Sequence, residues 1–113
     1  MTAYRDTFEK CPRCAADLAD AGAGRACAAC GGQWVSGPVL QEMVTAMQVP
    51  PVPVRLEFVP TTHAAIGCPE CGRAMETWRL HGVPIDRCPE WHGIWFDRDE
   101  LQAVLLGSVR FER

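Results

Sequence analysis

The sequence predicts a small α+β protein whose fold depends on metal, built as two tandem copies of a β-hairpin unit that are each followed by a short helix. Cysteine pairs stand at metal-ligand spacing, the same spacing recurs in a second copy, and a helical apolar pattern follows each copy. The chain has 113 residues. Each half is therefore too short to bury a large core, and a structural metal would supply the missing stability.

The second copy contains four candidate ligands. Cys68 and Cys71 form a pair with two residues between them, and sixteen residues then lead to Cys88 and His92. Two thiols at this spacing direct both sulfurs to one centre, and Cys88 with His92 can complete a tetrahedron. The pattern predicts a closed structural zinc site of three cysteines and one histidine.

The first copy predicts a second structural zinc ion, held by four thiolates. Its ligands would be Cys11 and Cys14, then Cys27 and Cys30 after an interval of twelve residues. The eight ligands account for all seven cysteines of the chain. We therefore expect two tandem zinc ribbons and a cofactor requirement of two Zn²⁺ ions.

The two copies keep the same spacing after their second cysteine pair. Trp34 and Leu40 follow Cys27 at the distances at which Trp95 and Leu101 follow Cys88. This alignment places Trp91 at the position of Cys30. His92, one residue further on, is then the expected replacement for the missing thiol.

Turn and alternation patterns place the remaining elements. Gly22 and Gly24 suit a turn between two short strands, and His81-Gly82 suits the turn of a second hairpin, with positive φ at Gly82. Residues 49–54 are rich in proline and predict an extended linker, followed by a strand at 55–59 that Pro60 ends. The predicted organisation is a first ribbon with its helix (1–48), a linker (49–60) and a second ribbon with its helix (61–113).

Each helix has a predicted start. Ser36 is placed as the N-cap of the first helix, with Pro38 in its first turn. Asp97 is placed as the N-cap of the second, where Glu100 would complete a capping box and Gly107 would form the C-terminal cap. An acid/base role for Asp97 and Glu100 is the alternative to capping. The apolar stripe of the first helix, which runs from Val39 to Met47, fits burial against its own ribbons or a groove for a partner.

Other residues have weaker functional interpretations. His63 and His81 could bind metal, but we expect an exposed side chain and a turn residue, because eight ligands are already available. Tyr4 and Phe8 in the polar residues 1–10 could cover the first ribbon. Residues 109–113 alternate in polarity and could form a last strand.

The formal net charge is −3, and the only lysine is Lys10. Thiolate ligands around zinc make the chain more acidic still, which argues against binding of nucleic acid through phosphates. Residues 1–10 have no apolar core of a signal peptide, and no run is long enough to cross a membrane. We expect a reduced, cytoplasmic protein, because a secreted disulfide framework would leave one cysteine over.

Residues 68–101 resemble a bacterial zinc-ribbon family named after the N-terminal ribbon of transcription factor IIB. The resemblance rests on Cys68-Pro-Glu-Cys71, on Ile85-Asp-Arg-Cys-Pro89, on Gly93-Ile-Trp-Phe-Asp97 and on Glu100-Leu101. It implies Cys68, Cys71, Cys88 and His92 as ligands, with histidine departing from the all-cysteine pattern. The first copy resembles the family more loosely, since residues 36–40 lack the acidic cap.

Three functions are compatible with these patterns. The first is a nonenzymatic adaptor that binds another protein or its own copy. The second, which the family name suggests, is binding to nucleic acid or RNA polymerase. The third is a thiol-based redox or metal sensor. We expect no enzymatic activity, because neither predicted site has an open coordination position.

Overall fold

The structure of the chain is a computed structural model that describes residues 10–22 and 24–109. Within these residues it contains seven strands and two helices and confirms a small α+β fold. The strands are β1 (Ala19–Ala21), β2 (Gly24–Ala26), β3 (Gln33–Val35), β4 (Phe58–Pro60), β5 (Glu76–Leu80), β6 (Val83–Arg87) and β7 (Ile94–Phe96), and the helices are α1 (Gly37–Met47) and α2 (Glu100–Gly107).

Both predicted hairpins form at their turn residues. Gly22 links β1 to β2 with φ of +65°, and His81 and Gly82 link β5 to β6 with φ of +50° and +83°. Two successive residues with positive φ are what a tight hairpin turn between twisted strands requires. His81 is thus a turn residue, as the sequence predicts.

The two ribbons share one antiparallel sheet. Its strand order is β1-β2-β3-β7-β6-β5-β4, so the third strands of the two ribbons, β3 and β7, pair at its centre. Trp34 lies opposite Trp95 in this pair. The pairing relates the two ribbons by an approximate two-fold axis, because the same residue of each copy meets its counterpart.

Each of these tryptophans packs on a glycine of the other ribbon. A Cβ atom at Gly32 would lie 2.1 Å from a ring carbon of Trp95, and one at Gly93 would lie 2.9 Å from a ring carbon of Trp34. Gly32 and Gly93 occupy the same position in the two copies. Close approach of the indole rings therefore requires glycine at both positions.

Side chains alternate between two cores on the two faces of the sheet. On one face Val35, Ile94 and Phe96 contact the helices and form the larger core. On the other face Trp34 and Trp95 pack among the cysteines. The candidate metal centres are therefore part of a core of their own.

Helix α1 begins as the sequence predicts. The backbone N–H of Val39 donates to the Ser36 side chain at 3.3 Å, and proline lies in the first turn. Leu40 and Val44 are fully buried in the larger core, called the helix-side core below because it lies between the sheet and the helices. The centre of the apolar stripe is thus covered by the protein's own ribbons, whereas Val39, Met43 and Met47 are only partly buried.

The prediction for the start of α2 is wrong in part. The helix begins at Glu100, and Asp99 is its N-cap, with φ of +71° and no capping side-chain bond. Glu100 still accepts a hydrogen bond from the backbone N–H of Asp97 at 2.9 Å, as in a capping box. The Asp97 carboxylate is used elsewhere because Arg13 and Trp95 donate to it. At the other end Gly107 is the last helical residue and Ser108 is the cap.

The linker packs on the larger core. Val54 is buried there, and its carbonyl accepts a hydrogen bond from the Gln41 side chain at 2.9 Å. The following strand is shorter than predicted and includes Pro60, which an edge strand such as β4 tolerates. The proposed division at 1–48, 49–60 and 61–113 stays a prediction. The roles expected for Tyr4, Phe8 and residues 110–113 lie outside the described residues.

Neither helix in the described part of the chain has the length and apolar character needed to cross a membrane.

Candidate metal centres

The first candidate centre lies beside the β1–β2 hairpin. Cys11 and Cys14 precede β1, while Cys27 and Cys30 follow β2, so the antiparallel pairing of the strands brings the two pairs together. The sulfur atoms of Cys11 and Cys30 lie 3.5 Å apart, and those of Cys14 and Cys27 lie 3.4 Å apart. All four sulfurs lie within 4.8 Å of one another.

The second centre has the same arrangement beside the β5–β6 hairpin. The sulfurs of Cys71 and Cys88 are 3.7 Å apart. Nδ1 of His92 lies 3.4 Å from the Cys88 sulfur and 3.8 Å from the Cys68 sulfur. The four ligand atoms again lie within 4.8 Å of one another.

Each of the two donor sets fits one zinc ion. A tetrahedral centre with Zn–S bonds of about 2.3 Å places two sulfurs about 3.8 Å apart, and a sulfur and an imidazole nitrogen about 3.6 Å apart. The observed separations of 3.4–3.8 Å are close to these values. Each group could therefore hold a structural zinc ion through side chains alone.

The fourth ligand loop explains why histidine replaces cysteine. In the other three loops the residue four places after the first cysteine is left-handed and its N–H donates to that cysteine's carbonyl; these residues are Ala15, Gly31 and Gly72. In the fourth loop the left-handed residue is Trp91, only three places after Cys88. The turn closes one residue early, and the longer side chain of His92 reaches the centre from the next position.

Backbone N–H groups stabilise the thiolate form of the sulfurs. The N–H of Arg13 donates to the Cys11 sulfur, and the N–H of Glu90 donates to the Cys88 sulfur, each at 3.3 Å. Bonds of this kind moderate the charge of a thiolate-rich centre. The N–H of Glu70 donates to Cys68 in the same way.

The sulfurs of each centre differ in acidity before metal binds. Burial raises the pKa of Cys11 and of Cys68 to about 12. The backbone N–H of Cys30 lowers the pKa of Cys27 to about 7. Burial opposes ionisation of Cys88, but the N–H groups of His92 and Glu90 help to lower its pKa. A zinc ion must therefore displace the protons of Cys11 and Cys68 against these raised pKa values.

Polar side chains connect each centre to the opposite ribbon. Arg13, in the first ligand loop, forms two hydrogen bonds with the Asp97 carboxylate at 2.9 and 2.8 Å. Glu70, in the third ligand loop, accepts a hydrogen bond from the Trp34 indole at 2.9 Å. In each ribbon, a residue between two candidate ligands thus contacts the other ribbon in or next to its third strand, β3 or β7.

His63 and His81 lie outside both groups of candidate ligands in the described residues. His63 is not the exposed bystander that the sequence suggests, because its Nε2 lies 3.1 Å from the buried Asp86 carboxylate. Burial raises the pKa of Asp86, and its contacts with His63 and Arg13 partly offset that effect. The His63–Asp86 contact links the segment that follows β4 to β6.

Trp91 lies outside both cores. It is 71 % exposed, and its ring lies over the guanidinium of Arg87, 4.2 Å from the ring centroid. The sequence gives one indication that Trp91 is not an ordinary core residue, because it stands at the position of Cys30 in the first copy.

Comparison with known proteins supports the metal assignment in the second half. Residues 67–107 match the model of a family described as transcription factor zinc-finger, the zinc ribbon of transcription factor IIB. No match to the chain is found among curated proteins or solved structures. The matched range includes Cys68, Cys71, Cys88 and His92 and excludes the first ribbon. The second ribbon with its helix is thus similar to this zinc-ribbon family. That the first ribbon is another copy of the same family stays a prediction.

Proposed function

We propose that this protein is a nonenzymatic double zinc ribbon that acts as an interaction module for another protein. The observation that carries the proposal is that each candidate centre supplies four converging side-chain donors. Four such donors complete the tetrahedral coordination of zinc, whereas catalytic zinc sites keep a position for water or substrate. The metal would then stabilise the fold and take no part in catalysis.

Zinc would stabilise the fold by joining segments that the small cores hold weakly. Cys11, Cys14, Cys27 and Cys30 would hold the first ion, and Cys68, Cys71, Cys88 and His92 the second. Structural zinc contributes on the order of 10 kcal/mol in ribbon-sized peptides, comparable to the stability of a whole domain. The sheet would thereby become a rigid support for surface side chains.

A protein partner suits the surface better than a phosphate backbone does. The net charge of −3 disfavours a nucleic acid, and the cationic side chains, one lysine and ten arginines, are scattered along the sequence. Trp91, by contrast, is a large exposed aromatic side chain, a residue type enriched where proteins bind each other.

A transcription-related role is the second candidate, and the family description of the second ribbon favours it. In an acidic chain such a role is more consistent with contact to a protein of the transcription machinery than with direct binding to DNA. The two candidates therefore share the same physical requirement, a surface that recognises protein.

Metal content by native mass spectrometry tests the proposal. We expect two zinc ions per chain in the wild type and one tightly held ion in His92→Ala, because the second centre then loses a donor. His63→Ala is the matched control and should keep both ions, since His63 lies outside both ligand groups. Removal of zinc by a chelator should unfold the chain, as followed by circular dichroism.

A wild-type chain that holds one ion or none would contradict the proposal. It would leave a set of cysteines free, and a redox or metal-sensing role would then be the better explanation.

A further inference from the structure

Trp91 has an unusual backbone and an unusual exposure at the same time. Its φ of +65° is in the left-handed region, which bulky residues rarely adopt, and 71 % of its surface is accessible. Both features cost free energy, the first by strain and the second by hydration of an apolar ring. A residue held in this way is a candidate for a binding role.

The ring of Trp91 covers an arginine that is embedded in aromatic side chains. The guanidinium carbon of Arg87 lies 4.6 Å from the ring centroid of Phe58 and 4.7 Å from that of Trp78, in addition to its contact with Trp91. The Arg87 side chain is only 12 % exposed. Aromatic contacts of this kind hold the guanidinium in place without using its N–H groups.

The N–H groups of Arg87 are only partly satisfied by acceptors. It donates to the Glu76 carboxylate through Nη2 at 3.4 Å, which is long for a bond between charged groups. Its buried Nε has no hydrogen-bond partner among the described residues. A buried donor without an acceptor is costly, so an acceptor supplied by a ligand would be favourable.

An apolar pocket of about 200 Å³ lies next to this stack. Its walls include Leu56, Phe58, Ile94 and Trp91, and Arg87 is the charged residue that lines it. Apolar walls with one fixed polar group are typical of sites that bind an apolar group in a defined orientation.

The equivalent surface of the first ribbon has a different character. Gln33 replaces Ile94 and Arg98 replaces Gly37 at positions related by the repeat, and Asp99 and Gln102 complete a polar lining. The apolar pocket thus differs from its counterpart beside the first ribbon, and ribbon architecture alone does not produce it, because Leu56 and Phe58 of the segment 49–60 also line it.

We propose that the pocket and the Trp91–Arg87 stack form the docking site for a segment of another protein that carries an apolar side chain next to a carboxylate. The apolar side chain would enter the pocket, and the carboxylate would accept hydrogen bonds from Arg87 in place of the half-exposed Glu76. This inference rests on the proposed function and names the chemistry of the partner.

A nucleic acid fits the same site less well. A base could stack on Trp91, but the backbone would need several cations nearby. The cation next to the fourth ligand loop, Arg73, is paired with Glu90 at 2.6 Å. A peptide requires a single cation, which Arg87 supplies.

Selection from a random-peptide display library against the zinc-loaded full chain tests the proposal. We expect enriched peptides in which a large apolar residue stands next to Asp or Glu. Trp91→Ala should weaken binding of these peptides roughly tenfold or more, as removal of a central aromatic anchor does. Leu106→Ala is the matched control, because Leu106 is also exposed (69 %) but lies on α2 away from the pocket, and it should bind as the wild type does.

Nuclear magnetic resonance of an enriched peptide bound to the labelled chain locates the contact. We expect the Trp91 indole and the Arg87 Nε–H resonances to shift together. Replacement of the peptide's Glu by Gln should weaken binding roughly tenfold, because a charge-assisted bond becomes a neutral one.

Three results would overturn the inference: no enrichment, enrichment that survives Trp91→Ala, or binding of a single-stranded oligonucleotide pool in place of peptides. Shifts of the same resonances on concentrating the protein alone would instead assign the site to a second copy of the chain. Zinc content is measured on every variant. Failure of docking with two ions bound then refutes the site, whereas loss of zinc from the wild type refutes the proposed function.

Discussion

At the scale of single residues, the chemistry of the candidate centres follows from spacing that is local in the sequence. Two cysteines with two residues between them meet at one point because a short turn fixes their sulfurs, whatever the rest of the chain does. The cysteine pairs could therefore be predicted before any strand was placed, and His92 followed from the alignment of the two copies. The shift of the left-handed residue to Trp91 could not, because it depends on how one loop closes.

The acidity of the buried thiols predicts a pH dependence of zinc binding. Burial raises the pKa of Cys11 and Cys68 to about 12, so at neutral pH both are protonated in the metal-free chain and must lose their protons to zinc. Because the bound state carries fewer protons, zinc affinity should rise as pH rises from about 6 to 8 and fall in the opposite direction. Competition with a chelator at several pH values measures this slope.

A slope of zero over that range would show that the thiols are already ionised in the metal-free chain. The raised pKa of the buried sulfurs would then be wrong.

At the scale of elements, the pairing of β3 with β7 joins the two ribbons. The pair is short, and the tryptophans at its centre are reinforced by Arg13–Asp97 and Glu70–Trp34 contacts that cross between the ribbons. Nothing in either strand alone indicates this pairing, because Trp34 and Trp95 are sixty-one residues apart in the sequence. The sequence predicts the hairpins correctly because their partners are neighbours in the chain.

Gly32→Ala should disrupt this pair. The new Cβ would lie 2.1 Å from the Trp95 ring, and the indole must move to accommodate it. We expect a loss of about 1–3 kcal/mol in the free energy of unfolding, as is common for overpacked cores. Denaturant unfolding in excess zinc, followed by tryptophan fluorescence, gives the value.

Gly37→Ala is the control, since a Cβ at Gly37 meets no atom within 4 Å. Equal stability of the two variants would show that the Trp95 ring does not pack on Gly32 in solution.

The same crossing contacts explain the error at the start of α2. Asp97 followed by Glu100 has the form of a capping box, and Glu100 does act in this way. The Asp97 carboxylate instead accepts hydrogen bonds from Arg13, eighty-four residues earlier, and from the Trp95 indole. A local pattern cannot include a competitor from the other end of the chain.

At the scale of the whole molecule, one sheet and one helix-side core extend across both ribbons. The C-terminal ends of the two helices are also joined, because the buried Gln48 side chain donates to the carbonyls of Val44 and Ser108. A prediction of two ribbons on a proline-rich linker leaves their relative arrangement open, whereas the shared core indicates that they form one unit.

The zinc-loaded chain should therefore unfold in a single transition. Circular dichroism and tryptophan fluorescence should give the same midpoint in denaturant, because neither ribbon can lose its half of the sheet without exposing the core of the other. Cys68→Ser should lower that midpoint and also weaken zinc retention at the first centre.

Two separated transitions, or a first centre unaffected by Cys68→Ser, would indicate that the ribbons fold independently. The division of the chain at residues 49–60 would then be supported as a boundary between domains.

The pairing of Trp34 with Trp95 across the approximate two-fold axis resembles an interface between subunits, but both partners belong to one chain. Two separate chains lose such an interface on dilution. Here both partners are parts of one chain, so the pairing is intramolecular and does not depend on the protein concentration. The paired state should therefore persist at any dilution, including the low copy numbers of a cell, without an assembly step.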